Sequence, residues 1–108
     1  MKFGLKENII EQINSVFEEF PQVEGVLIYG SRAKENYKPG SDIDLTLKGA
    51  DLNLNLLNSI SLRLDELFLP YIFDISIFKK IDNAELTEHI NRIGKVFFER
   101  RKEKVEDV

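Results

Sequence analysis

Cysteine is absent from the 108 residues, and histidine occurs once, at His89. The first absence excludes disulfides and thiolate metal sites. The second leaves too few imidazoles for a histidine-built zinc centre. A metal held by this chain would have to be a hard cation on carboxylate oxygens. Positive charge is also short: 15 Lys and Arg stand against 19 Asp and Glu, for a net charge of −4. A surface that follows phosphates along a nucleic acid needs a basic excess. No extended nucleic-acid groove is expected, although a small basic pocket is compatible with the composition. Long hydrophobic runs are missing as well. No segment has the length of a membrane-spanning helix. Residues Met1 to Ile10 show no apolar stretch followed by a small-residue cleavage site. The expectation is a cytoplasmic protein without membrane attachment.

What is present is ordinary globular material, 43% hydrophobic and 31% charged. The length suits one domain with one modest core. Residues 1–108 are expected to form that domain, with 99–108 a charged tail, frayed or a solvated helical end.

Leu5, Ile9, Ile13, Val16, Phe17 and Phe20 recur at helical spacing and predict an amphipathic helix that Pro21 stops. Val26 to Tyr29, ended by Gly30, reads as a buried strand. Ser31 to Asn36 has room for one short helix, and Lys38-Pro39-Gly40 is a turn with glycine available for positive φ. From Ser41 the pattern alternates, with Asp42, Asp44 and Thr46 on one face and Ile43, Leu45 and Leu47 on the other. Asp51 can cap a helix that keeps its spacing from Leu56 to Leu67 and ends by Pro70. Tyr71 to Phe78 is the next strand, with Asp74 its one ionisable residue. Asp82 and Glu85 resemble a capping box for a last helix, and Gly94 suits its C-terminal cap. Val96-Phe97-Phe98 is an apolar patch, either an edge strand or a docked end.

The fold class that follows is α/β (α+β): a small mixed sheet of about three strands flanked by helices. The link from Tyr29 to Asp42 is too short for a crossover helix between parallel strands, so that pair is expected to be antiparallel.

The polar residues on these strands raise a chemical question. Asp42 and Asp44 share a face and repel each other unless a positive charge or water lies between them. Asp74 lies in an apolar strand, where burial without a partner is costly. If the third strand lies beside the second, three carboxylates converge, a donor set for Mg²⁺ or Mn²⁺. Gly30-Ser31-Arg32 offers a tight turn, free N–H groups, a hydroxyl and a cation, all suited to phosphate. Mg²⁺ beside a phosphate cradle serves phosphoryl and nucleotidyl transfer. On the residues alone, an Asp-x-Asp also fits a solvated strand end, and Asp74 also fits an exposed edge strand. Core packing is expected for Tyr29, exposure for Tyr37, a surface or boundary position for His89, a solvated loop for Lys34 and Lys38, and the end of the core for Phe97 and Phe98.

Gly30-Ser31, then Asp42-Ile43-Asp44 eleven positions after the serine, then Asp74 in a later strand: this pattern resembles the DNA polymerase β-like nucleotidyltransferase superfamily. The strings GSRA and SDIDL resemble its minimal nucleotidyltransferase (MNT) branch. The resemblance spans the first helix to about Phe98 and implies the polymerase β palm-like fold. It further implies that Asp42 and Asp44 ligate two Mg²⁺ ions and that Asp74 ligates the one activating the attacking hydroxyl. Gly30 and Ser31, with Arg32, would hold the triphosphate of ATP, the substrate. Glu35 departs from the pattern, because the family often has glycine there. Larger relatives add domains for base and acceptor, and this chain ends soon after its third strand. The branch is often paired with a small helical HEPN protein encoded nearby. The resemblance therefore implies an antitoxin that transfers AMP to a tyrosine of a HEPN-type toxin. Two other readings stay open: a catalytically inert module that neutralises a partner by contact, and transfer to a small molecule or RNA end with a second subunit.

Overall fold

The computed structural model describes residues 1–101. They run in the order α1 (Glu7–Glu18), β1 (Gly25–Tyr29), α2 (Ser31–Lys34), β2 (Ile43–Lys48), α3 (Leu54–Asp65), β3 (Phe73–Ile77), α4 (Ala84–Ile93) and β4 (Lys95–Glu99). A single 3-10 turn, Phe78–Lys80, follows β3. The strands form one sheet in the order β3-β2-β1-β4. β1 is antiparallel to β2 and to β4, whereas β2 and β3 are parallel. The sheet is thus mixed, and the short link after β1 joins antiparallel neighbours as its length requires. The parallel pair is joined through α3, the longer crossover that parallel pairing demands.

The sheet has four strands where about three were expected, the fourth being the edge strand that Val96-Phe97-Phe98 left open. Val96-Phe97-Phe98 belongs to β4, which shields the outer edge of β1, and Phe97 and Phe98 are buried. Glu99, expected in the tail, closes that strand. Arg100 then turns back: its Nε donates to the Val23 carbonyl at 2.9 Å and its Nη2 to those of Phe17 and Phe20 at 2.9 and 3.0 Å. These bonds tie the end of β4 to the end of α1 and the turn after it, where the Phe17 and Phe20 carbonyls also accept from the backbone N–H groups of Phe20 and Val23. The expectation of a tail over 102–108 lies outside the described residues.

Apolar residues at strand period meet apolar residues at helix period on one face of the sheet. Ile43, Leu45 and Leu47 of β2 and Val26 and Ile28 of β1 pack with Ile13, Val16 and Phe17 of α1 and Ile60 and Leu64 of α3. Leu5, expected to open the first helix, is fully buried but precedes it. It sits in a tight turn bridged to Lys2, with Phe3 and Gly4 at φ 57° and 72°.

Two helix starts differ by a residue or two from expectation. Asn53, not Asp51, caps α3, its side chain accepting from the Leu56 N–H at 2.9 Å. Asn83, not Asp82, caps α4 by accepting from Glu85 and Leu86 at 3.0 and 3.1 Å. In each case the cap is the residue next to the first helical turn, within reach of its free N–H groups. α3 stops at Asp65, well before Pro70, and the chain leaves it through Phe68 at φ 53°. Gly94 does cap α4, its N–H bonded to the Ile90 carbonyl at 2.7 Å, yet its backbone is extended, not left-handed. Glycine suits it because a Cβ there would collide with that carbonyl oxygen. Gly40, likewise, turns without positive φ. Among the described residues no helix is long and apolar enough to cross a membrane.

Candidate active site

The face of the sheet opposite the core carries the polar residues, and cross-strand register aligns them. Tyr29 stands opposite Asp44, and Asp44 opposite Asp74. Residues so paired point to the same side and lie side by side. One rung further, Leu27 faces Thr46 and Thr46 faces Ser76. Thr46 is fully buried despite its hydroxyl, which accepts a hydrogen bond from Ser76 Oγ at 3.0 Å. The sequence pattern singled out the aspartates and not this hydroxyl pair. Strand parity would have found it, since Thr46 and Ser76 each lie two residues after an aspartate.

Gly30 ends β1 at φ 73° and ψ −153°, a conformation that glycine adopts freely. A Cβ there would collide with Asp44 Oδ2. The missing side chain therefore brings the Gly30-Ser31 backbone directly against the Asp44 carboxylate. This close approach is the contact between the turn and the acidic row. Ser31 begins α2 and is half-buried; α2 itself is only four residues long.

Asp42 lies one residue before β2 and is exposed, Asp44 is half-buried, and Asp74 is exposed on the edge strand β3. Burial pushes the Asp44 carboxyl above the usual carboxylate range, and the charges of Asp74 and Asp42 push the same way, against a smaller opposing pull from Arg32. Burial also raises the Tyr29 phenol; Ser76 beside it acts in the opposite sense, and the Asp74 and Asp44 charges add to the rise. The Tyr29 ring is covered by α4, whose His89 meets it edge-on at a centroid distance of 6.2 Å. Tyr29 is buried as expected, although on the site face and outside the main core cluster, and His89 is at the boundary, one of the two positions expected for it.

Among the described residues no three acidic or imidazole side chains are gathered closely enough to hold one ion together. The donor set nevertheless fits a hard divalent cation. All three candidates are carboxylates, Asp44 is half-buried next to two like charges, and Gly30, lacking a Cβ, admits its oxygen against the turn.

Arg32 does not lie where phosphate contact needs it. It is only 1% exposed. Its Nε and Nη2 donate to the Ser41 carbonyl at 3.0 and 2.8 Å, Nη1 to Phe3 at 2.9 Å and Nη2 to Pro39 at 3.4 Å. The rings of Tyr37 and Tyr71 lie 5.5 and 5.1 Å from its Cζ. Tyr37, expected to be exposed, is half-buried for this reason. Lys34 and Lys38 are exposed, as a solvated loop requires. Glu35 has φ 63° and ψ 20° at the C-terminal cap of α2, so the position that departs from the family pattern is one whose backbone favours glycine.

A mixed sheet that holds aspartates in adjacent strands beside a Gly-Ser turn defines a class, the enzymes that transfer nucleotidyl or phosphoryl groups. The chain belongs to the family described as "Polymerase beta, Nucleotidyltransferase", whose model matches residues 11–103. It is a nucleotidyltransferase. It is 37% identical over 86 residues, covering 70% of each chain, to "Putative protein adenylyltransferase MJ1547" of Methanocaldococcus jannaschii. Among solved structures, its fold matches a toxin-antitoxin crystallised with AMP-PNP at a TM-score of 0.69 and 17% identity, covering 85% of this chain and 74% of that one. It also matches the tri-AMPylated Shewanella oneidensis HEPN toxin in complex with MNT antitoxin, at a TM-score of 0.66 and 15% identity, covering 89% and 74%. These structural likenesses concern the fold.

Proposed function

We propose that this protein transfers AMP from ATP to a hydroxyl of a partner protein, a tyrosine of a HEPN-type toxin, and so acts as the antitoxin of the pair. The observation that carries the chemistry is the row Gly30–Asp44–Asp74. Register sets the two carboxylates side by side, and the absent glycine side chain lets the turn meet them. The relative named as an adenylyltransferase and the fold shared with toxin-antitoxin complexes support the choice of AMP and of a HEPN-type acceptor.

In this reading Asp42 and Asp44 would hold two Mg²⁺ ions, Mn²⁺ serving as well, and Asp74 would help to hold one of them. When bound, such ions stabilise charge on the attacking and leaving oxygens of an in-line displacement. Gly30 and Ser31 hold the triphosphate by backbone N–H and hydroxyl. Asp74, exposed at the sheet edge, receives the proton of the attacking hydroxyl. The acceptor oxygen bonds to the α-phosphorus, the bond from that phosphorus to the bridging oxygen breaks, and pyrophosphate leaves. The acidic net charge favours a protein acceptor over an RNA end.

The test is incubation with Mg²⁺, α-labelled ATP and the protein encoded beside this one, with Asp42→Asn and Asp44→Asn as controls. Label on the partner's tyrosine, lost in both controls, is expected. Tight complex formation without label would instead favour neutralisation by contact alone.

A further inference from the structure

The phosphate-like motif contains one cation, and the fold does not leave that cation free. Arg32 has five N–H donors, and its hydrogen bonds end on backbone carbonyls from separate parts of the chain: Phe3 ahead of α1, and Pro39 and Ser41 in the loop ahead of β2. Ser41 receives two of these bonds and immediately precedes Asp42. No carboxylate among the described residues lies within ion-pair distance of Arg32. Its charge is instead met by carbonyl dipoles and by two tyrosine faces, a geometry that the planar guanidinium supplies and an ammonium cannot.

We infer that Arg32 is a positioning residue for Asp42: it clamps the 37–41 loop so that the carboxylate following it is held at the end of β2, beside Asp44. Three features support this. The loop makes few bonds of its own: the Ser41 N–H to the Lys38 carbonyl at 2.9 Å and the Lys38 N–H to Ser41 Oγ at 2.8 Å. Asp42 lies outside the strand, so the β2–β3 ladder holds it less firmly than it holds Asp44. The guanidinium is buried and lies over the rings of two tyrosines, Tyr37 on the loop itself and Tyr71 just ahead of β3. Residues that orient a metal ligand commonly change affinity about 10–100-fold when altered. The metal part of this inference rests on the proposed function, whereas the loop clamp does not.

Two readouts on Arg32→Lys, which keeps the charge and loses the fork, separate these parts. Amide hydrogen exchange at Lys38 and Ser41 reads the clamp without any ligand. Mn²⁺ titration without nucleotide, with KM for ATP at saturating metal, reads its consequence. The clamp predicts faster exchange confined to the loop, Mn²⁺ affinity lower by about tenfold or more, and KM for ATP within about twofold of the parent. Unchanged loop exchange overturns it. So does unchanged Mn²⁺ affinity with a raised KM, the pattern of a phosphate contact. If the parent protein binds no Mn²⁺, the proposed metal chemistry falls and loop exchange alone decides the clamp. Should Arg32→Lys fail to fold, Tyr71→Leu removes one ring from the guanidinium. The same loop-confined increase in exchange is then expected, and its absence overturns the inference.

Discussion

Asp44 carries a charge that the fold half-buries beside two others, and the cost appears in its raised carboxyl. The unfolded chain ionises this group at the ordinary value near 3.9. The folded chain ionises it at higher pH, so the native state loses stability relative to the unfolded one as pH rises through that interval. Asp44→Asn cannot ionise. In metal-free buffer at pH 7 the variant is expected to melt above the parent, with the gap closing below about pH 4, where both are neutral. Nucleotidyl transfer by the same variant is expected to fall roughly 100-fold or more, because a proposed metal ligand is lost. Melts with EDTA across pH, set beside transfer assays, check both. An asparagine variant that melts lower at pH 7 would show that the repulsion does not burden the fold. The aspartates were legible because strand period alone puts Asp42 and Asp44 on one side. Arg32 was not, since a cation after Gly-Ser reads the same whether it faces solvent or lies beneath two rings. Only the positions of Tyr37, Tyr71 and the Phe3 carbonyl decide that.

Helix starts were legible to within a residue or two, and the miss has one physical origin. Asp51 and Asn53, like Asp82 and Asn83, are all side chains able to accept from a free N–H. Which one does so depends on where the helical dihedrals begin, and composition does not specify this. Melting separates the members of each pair. Asn53→Ala and Asn83→Ala are each expected to cost about 1 kcal/mol, whereas Asp51→Ala and Asp82→Ala, on exposed residues without a capping bond, should stay within about 0.5 kcal/mol. At the other end of a short element, Glu35 holds φ 63° with a Cβ. Glu35→Gly relieves that conformation and loses some unfolded-state restriction in return. A net gain of about 0.5 kcal/mol is expected, seen as a rise of a few degrees in Tm. A fall in Tm would mean that the glutamate side chain contributes more than its backbone conformation costs.

Over the whole molecule the mixed sheet could be anticipated, because a link of that length after Tyr29 cannot support a parallel crossover. The fourth strand was legible only as one of two alternatives, an edge strand or a docked end. Lys95 to Glu99 is short, its apolar residues are adjacent instead of alternating, and its pairing with β1 shifts register between Val26 and Leu27. Phe98 nonetheless closes the core from that edge, its ring 5.7 Å from that of Phe17. Phe98→Ala is expected to destabilise the protein by about 3–5 kcal/mol. In a chain of this size that is a large share of total stability, and denaturant melts would show it directly. A loss under 1 kcal/mol would mean that β4 is docked without supporting the core.

In β2 and β3 the odd-numbered residues Ile43, Leu45, Leu47, Phe73, Ile75 and Ile77 face one way, and the even-numbered Asp44, Thr46, Asp74 and Ser76 face the other. Packing and chemistry thus share a single reading frame. Inserting or deleting one residue within either strand would send aspartates inward and isoleucines outward together. Descendants of this gene can therefore change length more readily between strands, in a stretch such as 66–70 that holds no residue of the site or of the Arg32 clamp. Inside the strands, one-for-one replacement is the route left open to divergence.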